Sequence, residues 1–318
     1  MRIITAVQLT RLTMAFGAVS DVWFVILYTK GCGGEYVFLE ELQAMPTPLA
    51  LLVGAVVAVG LFAYGAALND VLDVRHDATF SPSRPIPAGR IRLGQAIVVT
   101  IGSLILAALA AAALGKGALC IALLTAAGLL FYNAAGKFIP AAGIVTIGLI
   151  HAAHMLIPNY QLEFTLPLWL VFTHTIVIAA LAHHLEEKRP RLTPRALVGI
   201  AAGWASWSAL IIAAGVVRGG LWPLVGRLGG LAWPLAALLA FAGVAWWKTR
   251  AVSGAAAAEK LKRYGAMWQS LYGGAWLMAV GLEAQAAFIG GLALVGFAVM
   301  TAIKELVGLT GRPIAYRG

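Results

Sequence analysis

Charged residues are scarce in this chain of 318 residues: Asp, Glu, Lys and Arg make up only 11% of it, while 61% is hydrophobic. A soluble globular domain carries roughly a quarter charged residues. The composition therefore excludes an ordinary soluble protein and indicates one that lies in a bilayer. Cysteine is also rare, and the two that are present, Cys32 and Cys120, are too few for a disulfide framework.

Apolar runs of about 20 residues, the length that crosses a bilayer, recur along the chain. They predict an all-α polytopic membrane protein that forms a single domain over residues 1–318. The ten predicted helices are 9–29, 47–68, 92–114, 117–135, 139–157, 166–184, 195–217, 231–248, 266–283 and 286–305. The net charge of +10 comes mainly from alternate loops, as the positive-inside rule expects. This distribution of basic residues predicts an integral membrane protein with cytoplasmic termini and no nucleic-acid partner.

The first polar loop, 69–92, carries an unusual set of acidic residues. Asp70, Asp73 and Asp77 stand at i, i+3 and i+7, so a helix would place the three carboxylates on one face. Like charges so close together repel each other unless a cation lies among them, and Mg²⁺ prefers oxygen ligands of this kind. Arg84 and Arg90 follow in a proline-rich turn and offer charge that is complementary to a phosphate. The loop predicts a Mg²⁺–diphosphate site facing the cytoplasm.

These residues carry a family resemblance. The run from Asn69 to Asp77, followed by Arg84-Pro85-Ile86-Pro87-Ala88-Gly89-Arg90, resembles the first signature of the UbiA superfamily of intramembrane prenyltransferases. Tyr132 and Lys137 resemble a second, shorter family segment. The resemblance implies nine helices around a central cavity that opens to lipid, whereas the charge pattern of this chain favours ten, the last of which would be an addition. It also implies Mg²⁺-dependent transfer of an isoprenyl group from a prenyl diphosphate to an aromatic or other lipophilic acceptor.

The second polar loop, 183–195, departs from the family pattern. Where the family has a pair of aspartates four residues apart, this chain has His183 and Glu187. Imidazole favours softer metals than Mg²⁺, so we expect at most one ligand here, Glu187. Glu186 would then point to a basic partner, and Lys188 and Arg189 would hold phosphate.

The expected site follows from the resemblance together with these departures. The Mg²⁺ ligands are expected to be Asn69, Asp70, Asp73 and Asp77, with Glu187. The diphosphate is expected to bind Arg84, Arg90, Tyr132, Lys137, Lys188 and Arg189. Three alternatives stay open: a UbiA-type terpene cyclase, a transferase that uses a lipid-phosphate donor, and a non-catalytic transporter or scaffold derived from the family.

Polar residues within the helices suggest where the acceptor binds. Asp21 lies about 15 Å deep at 1.5 Å per residue, and His151 and His174 lie at roughly 18 and 15 Å. Acids at membrane depth usually face an interior cavity. We expect Asp21 with one of these histidines to bind or deprotonate the acceptor; the alternative is a polar network that only ties helices together. Another reading of His151-x-x-His154 and His183-His184 is a di-iron or haem protein.

Overall fold

The protein is seen in a computed structural model that describes residues 9, 15–32, 39–219 and 228–309. This part of the chain forms twelve α-helices joined by turns and loops and contains no strand. The helices are α1 (Phe16–Gly31), α2 (Glu40–Ala44), α3 (Thr47–Leu72), α4 (Val74–Phe80), α5 (Leu93–Ala113), α6 (Lys116–Ala134), α7 (Pro140–Leu156), α8 (Leu166–Leu185), α9 (Pro194–Val217), α10 (Ala232–Thr249), α11 (Gly254–Ala279) and α12 (Glu283–Leu309).

Proline marks the beginning of four of the long helices, α3, α7, α8 and α9. The first N–H groups of a helix have no partner within the helix, so proline is tolerated there, and its fixed φ suits the first turn. In α9 the Thr193 hydroxyl also accepts a hydrogen bond from the Ala196 amide at 3.2 Å. These local signals explain why the predicted starts of these helices lie within one residue of the observed ones.

The helices pack as two groups that meet at α1 and α7. In the first group, α3 packs along α5, α1 and α6; in the second, α11 packs against α8, α10 and α12. Each group buries its own apolar core. Close approach in the first group depends on small residues: a Cβ added at Gly60 would lie 2.9 Å from the Ala107 Cβ. This arrangement leaves α1, α3, α6 and α7 around a common interior space.

Large apolar side chains remain on the outside of the bundle, as in Val98, which is 71% exposed. Within the described ranges, six helical segments are long and apolar enough to cross a membrane: Thr47–Leu72, Leu93–Ala113, Lys116–Ala134, Leu166–Leu185, Pro194–Val217 and Gly229–Thr249. A soluble protein would not expose so much apolar surface. The chain is therefore a polytopic, all-helical integral membrane protein.

Each of the ten predicted segments contains a helix, but several boundaries were wrong, two of them in or near the polar loops. The second helix does not end at 68: helical structure continues through Leu72 and resumes from Val74 to Phe80, so part of the predicted polar loop is helical. The ninth begins at Gly254 rather than 266, because Ala257, Ala258 and Leu261 are buried and extend the helix beyond its apolar run. Residues 10–14 of the first predicted helix lie outside the described residues.

Candidate active site

The acidic residues lie where α3 gives way to α4. Asp73 separates the two helices, with φ −89° and ψ 7°. Helical hydrogen bonds continue across it, from the Asp73 amide to Asn69 and from the Asp77 amide to Asp73. Asp70 and Asp77 are buried, at 4% and 3% exposure. The local chain thus keeps helical spacing through the acidic run, although its helix is interrupted in the middle.

Arg84 neutralises two of these carboxylates. Its Nη1 lies 2.6 Å from the Asp77 Oδ2 and 3.2 Å from the Asp70 Oδ1. The turn that follows folds back on itself, with the Arg90 amide bonded to the Pro85 carbonyl and Gly89 at φ +68°. Ile86 is buried and anchors this turn in a small apolar cluster with Ile91 and Ala67. The turn therefore holds the Arg84 guanidinium against the acidic helix.

Asp73 is paired with a different cation. Its Oδ1 lies 2.5 Å from the Lys137 Nζ, which belongs to the 3-10 turn Gly136–Phe138 between α6 and α7. Asn133, one turn before, donates to the Gly65 carbonyl of α3 at 3.4 Å, which joins the ends of the two helices. Helix packing thus brings Lys137, which lies 64 residues downstream of Asp73, to the carboxylates.

These groups face one cavity of about 620 Å³, here called the main cavity. Its polar end contains most of the predicted ligands and basic residues: Asn69, Asp73, Asp77, Arg84, Tyr132, Lys137, Lys188 and Arg189. Its other walls are largely apolar and include Leu61, Phe62, Leu129, Ile147 and Ile150. An anion with an apolar tail fits both parts of this space, since charged and apolar surfaces are continuous.

The second polar loop reaches the same cavity from the end of α8. His183, Lys188 and Arg189 line it, while Glu187 lines a neighbouring smaller cavity of about 470 Å³ together with Arg191. Glu186 is bound by Lys188 at 3.0 Å and also by Lys262 of α11. The expected basic partner of Glu186 is therefore present. Glu187 has φ +48°, a left-handed conformation that is uncommon for a side chain of its size.

Besides Glu187, four predicted site residues do not line the main cavity. Asp70 is buried beside it, behind Arg84, and Arg90 is exposed and donates to the Ser83 carbonyl. His174 packs in the second core, where its Nε2 lies 3.1 Å from the Gly265 carbonyl and its Nδ1 lies 3.4 Å from the Tyr272 hydroxyl. Asp21 is buried in α1, and its Oδ2 has no hydrogen-bond partner in the described part of the chain.

The cavity also contains residues that were not predicted as site residues. His154 and His183 line it, as do His76, Ser81 and Asn133. His154 lies three residues after His151, so helical spacing alone places both rings on one face of α7. That signal was available in the sequence. His76 and Ser81 had no such signal, because they reach the cavity only through the interruption at Asp73 and the turn after α4.

Hard oxygen donors at the polar end suit magnesium. Asn69, Asp73 and Asp77 bring amide and carboxylate oxygens to one wall, the donor type that Mg²⁺ prefers. Within the described residues, no three His, Cys, Asp or Glu side chains stand together as a ready-made cluster; the carboxylates are paired with Arg84 and Lys137 instead. The oxygen atoms of Asn69, Asp73 and Asp77 are of a type that suits Mg²⁺, provided that Arg84 and Lys137 release the carboxylates and bind an anion instead.

The fold and the cavity together place this protein in a class: polytopic helical membrane proteins with a charged interior site. The model of the UbiA prenyltransferase family matches residues 37–271, which is most of the chain. The protein belongs to the UbiA prenyltransferase family.

Curated relatives match over shorter stretches. The digeranylgeranylglyceryl phosphate synthase of Methanothrix thermoacetophila is 34% identical over 106 residues, 33% of this chain and 39% of the relative. The synthase of the same name from Saccharolobus solfataricus is 42% identical over 83 residues, 26% of this chain and 29% of the relative. The chain thus matches about two fifths or less of the length of these relatives.

Solved structures match over nearly the whole fold. A structure from work on digeranylgeranylglyceryl phosphate synthase in membranes is 18% identical and has a TM-score of 0.55, covering 87% of this chain and 98% of that one. A UbiA homologue from Archaeoglobus fulgidus, bound to DMAPP and Mg²⁺, is 13% identical with a TM-score of 0.54, covering 87% and 99%. At these identities the likeness establishes the fold.

Proposed function

We propose that this protein transfers an isoprenyl group from a prenyl diphosphate to a lipophilic acceptor within the membrane, with Mg²⁺ as its cofactor. The observation that carries the proposal is the main cavity, where acidic and basic side chains face each other at one end of an apolar space. Membership of the UbiA prenyltransferase family supports it. The donor would place its diphosphate among the charges and its isoprenoid chain along the apolar walls.

Residues of the first polar segment would hold the metal. Asn69, Asp73 and Asp77 are the ligands we propose, with Asp70 as a further carboxylate that keeps Arg84 in place. Glu187 would join them only by turning from the neighbouring cavity. Bound Mg²⁺ would neutralise charge on the departing diphosphate.

The basic residues would bind the leaving group. Arg84 and Lys137 are in place beside the carboxylates, and the Arg84 Nε has no partner among the described residues. Lys188 and Arg189 of the second polar loop line the same cavity, as does Tyr132 near the end of α6. Arg90 would contribute from the rim. Preorganised cations of this kind stabilise developing negative charge, while the apolar walls keep water from the allylic carbocation.

The acceptor would enter from the bilayer and approach the polar residues above the diphosphate. Asp21, His151 and His174 are the groups that we propose to orient it or take its proton; His151 lines the cavity, whereas the other two are buried and do not line it. The basic loops support a cytoplasmic opening, and nine to ten of the helices would span the membrane. The name of the curated relatives favours a second candidate acceptor, a phosphorylated glycerol lipid.

A turnover assay tests the proposal. Purified protein with Mg²⁺, labelled geranylgeranyl diphosphate and a membrane lipid extract is expected to release diphosphate and to yield a labelled lipid. Replacing both Asp70 and Asp73 by Ala should abolish release, because the ligand set and the partners of Arg84 and Lys137 are lost together. Glu259→Ala, an exposed acid outside the cavity, is the control and should keep full activity. No release by the unaltered protein with any prenyl diphosphate would favour a transporter or scaffold.

A further inference from the structure

The end of the main cavity that lies away from the carboxylates is not purely apolar. Two imidazoles, His151 and His154, line it among Leu61, Ile147 and Ile150. His151 lies about 16 Å along α7 from the start of the helix at Pro140, at 1.5 Å per residue. The polar groups at this end are therefore separate from the charged site around Lys137, and the function proposed above leaves His154 without a role.

Gln269 of α11 contacts the imidazole ring of His151 through its side-chain amide. Its amide Nε2 lies 3.3 Å from the His151 Nδ1, and the Gln269 side chain is 3% exposed. A Cβ added at Gly17 of α1 would lie 2.8 Å from the Gln269 Oε1 and 2.5 Å from the Ala266 carbonyl oxygen. Glycine at position 17 thus lets α1 close directly on Gln269, which fixes the amide against the imidazole.

This contact sets the chemistry that His151 can offer. When the Gln269 amide donates to Nδ1, the neutral ring carries its proton on Nε2. That nitrogen has no hydrogen-bond partner among the described residues. One turn further along α7, the buried His154 also has an Nε2 without a partner. A buried polar atom without a partner is costly, so the buried His154 Nε2, beside the half-buried His151 on the lining of the same cavity, points to a bound group.

We propose that His151, positioned by Gln269, and His154 form a subsite for a neutral oxygen of the acceptor, as in a lipophilic alcohol. The proposal rests on the proposed function, because it assigns the carboxylate end of the cavity to the donor. An uncharged oxygen matches this pair of imidazoles between apolar walls, because a hydroxyl can both donate and accept a hydrogen bond. The subsite thus favours an acceptor whose polar group is a hydroxyl rather than a second anion at this end.

A binding experiment without turnover tests the subsite. The probes are tritiated farnesol and the corresponding hydrocarbon farnesene, with purified protein in detergent, Mg²⁺ and saturating inorganic diphosphate to fill the charged end. One net hydrogen bond is worth about 0.5–1.5 kcal/mol, so farnesol should bind roughly 3- to 10-fold more tightly than farnesene. His151→Phe and Gln269→Leu should bring that ratio close to one.

A misfolded fraction lowers the amount of protein that binds farnesol and farnesene equally, so the ratio of the two affinities within one variant is not affected by partial misfolding. His151→Gln keeps an amide donor and should restore part of the preference for the alcohol. Ser270→Ala, at the buried neighbour of Gln269, should leave it unchanged. Equal affinities in the unaltered protein, survival of the preference in His151→Phe, or displacement of farnesol by diphosphate would each overturn the proposal. Failure of the turnover assay alone would leave these binding results standing.

Discussion

Arg84 lies at the centre of the charged site, because a single guanidinium nitrogen contacts both Asp70 and Asp77. These carboxylates are almost fully buried, and a buried carboxylate left without its partner is strongly destabilising. The same group is aimed at the cavity in which we place the diphosphate. Arg84 thus has a structural role and a proposed binding role at once.

Replacing Arg84 by Gln is expected to lower the free energy of unfolding by about 3–5 kcal/mol, the cost of breaking a buried ion pair from one side. Thermal unfolding in detergent measures this loss, and binding of inorganic diphosphate in the presence of Mg²⁺ should weaken in the same variant. The control is Arg75→Gln, which changes an exposed arginine seven residues before the turn that begins at Pro82. This variant should keep both its stability and its diphosphate binding. Equal stability of the two variants would show that Arg84 is not a structural partner of the acids.

At the level of single residues, the acidic set and the arginine turn could be predicted from the sequence, because their types and spacing are local. Their pairing could not. Helical spacing groups Asp70, Asp73 and Asp77 but does not say which cation each one meets: Asp73 is paired with Lys137, and Asp70 and Asp77 with Arg84. The choice depends on a lysine 64 residues away, which local spacing does not contain.

Among the structural elements, the 3-10 turn Gly136–Phe138 has the most direct connection to the site. It carries Lys137 and lies against the first turns of α7, where a Cβ added at Gly143 would come within 2.5 Å of the Gly136 carbonyl oxygen. The Gly136 carbonyl oxygen belongs to the backbone, so it cannot move aside as readily as the end of a flexible side chain. The position of Lys137 therefore depends on glycine at position 143.

Gly143→Ala should displace this turn, separate Lys137 from Asp73 and weaken Mg²⁺–diphosphate binding by several-fold. Isothermal titration with inorganic diphosphate provides the measurement. The matched control is Gly94→Ala in α5, where a Cβ would meet nothing within 4 Å; alanine is favoured over glycine in a helix by up to about 1 kcal/mol. This control should bind normally and unfold at the same or a higher temperature. Normal binding by Gly143→Ala would contradict the link between the turn and the site.

Long elements were predictable where apolar length and a proline start agreed, as in α7 and α9. The start of α11 was not, because its first turns are basic and alanine-rich and become helical through burial of Ala257 and Leu261. The extension of α3 beyond residue 68 had a similar cause: its polar end is stabilised by ion pairs that form only in the folded protein. Hydropathy locates apolar helices but does not report such tertiary contacts.

Across the whole molecule, two distant segments meet at one cavity. The carboxylates and Arg84 come from the first third of the chain, while Lys188 and Arg189 come from the end of α8. The sequence predicted that both polar loops would serve one site. It did not predict that His174 would pack against Tyr272 and not line the cavity, because depth along a helix does not specify which face turns inward.

The central claim is that the charged end of the main cavity binds Mg²⁺ and a prenyl diphosphate. The most direct measurement is an experimental structure with Mg²⁺ and geranyl S-thiolodiphosphate, a donor analogue that resists cleavage. We predict that Asp73 and Asp77 leave Lys137 and Arg84 to contact the ion, that these cations move to the phosphates, and that the geranyl chain runs along Phe62 and Ile147. An analogue bound elsewhere, or one bound while Asp73 stays paired with Lys137, would contradict the account.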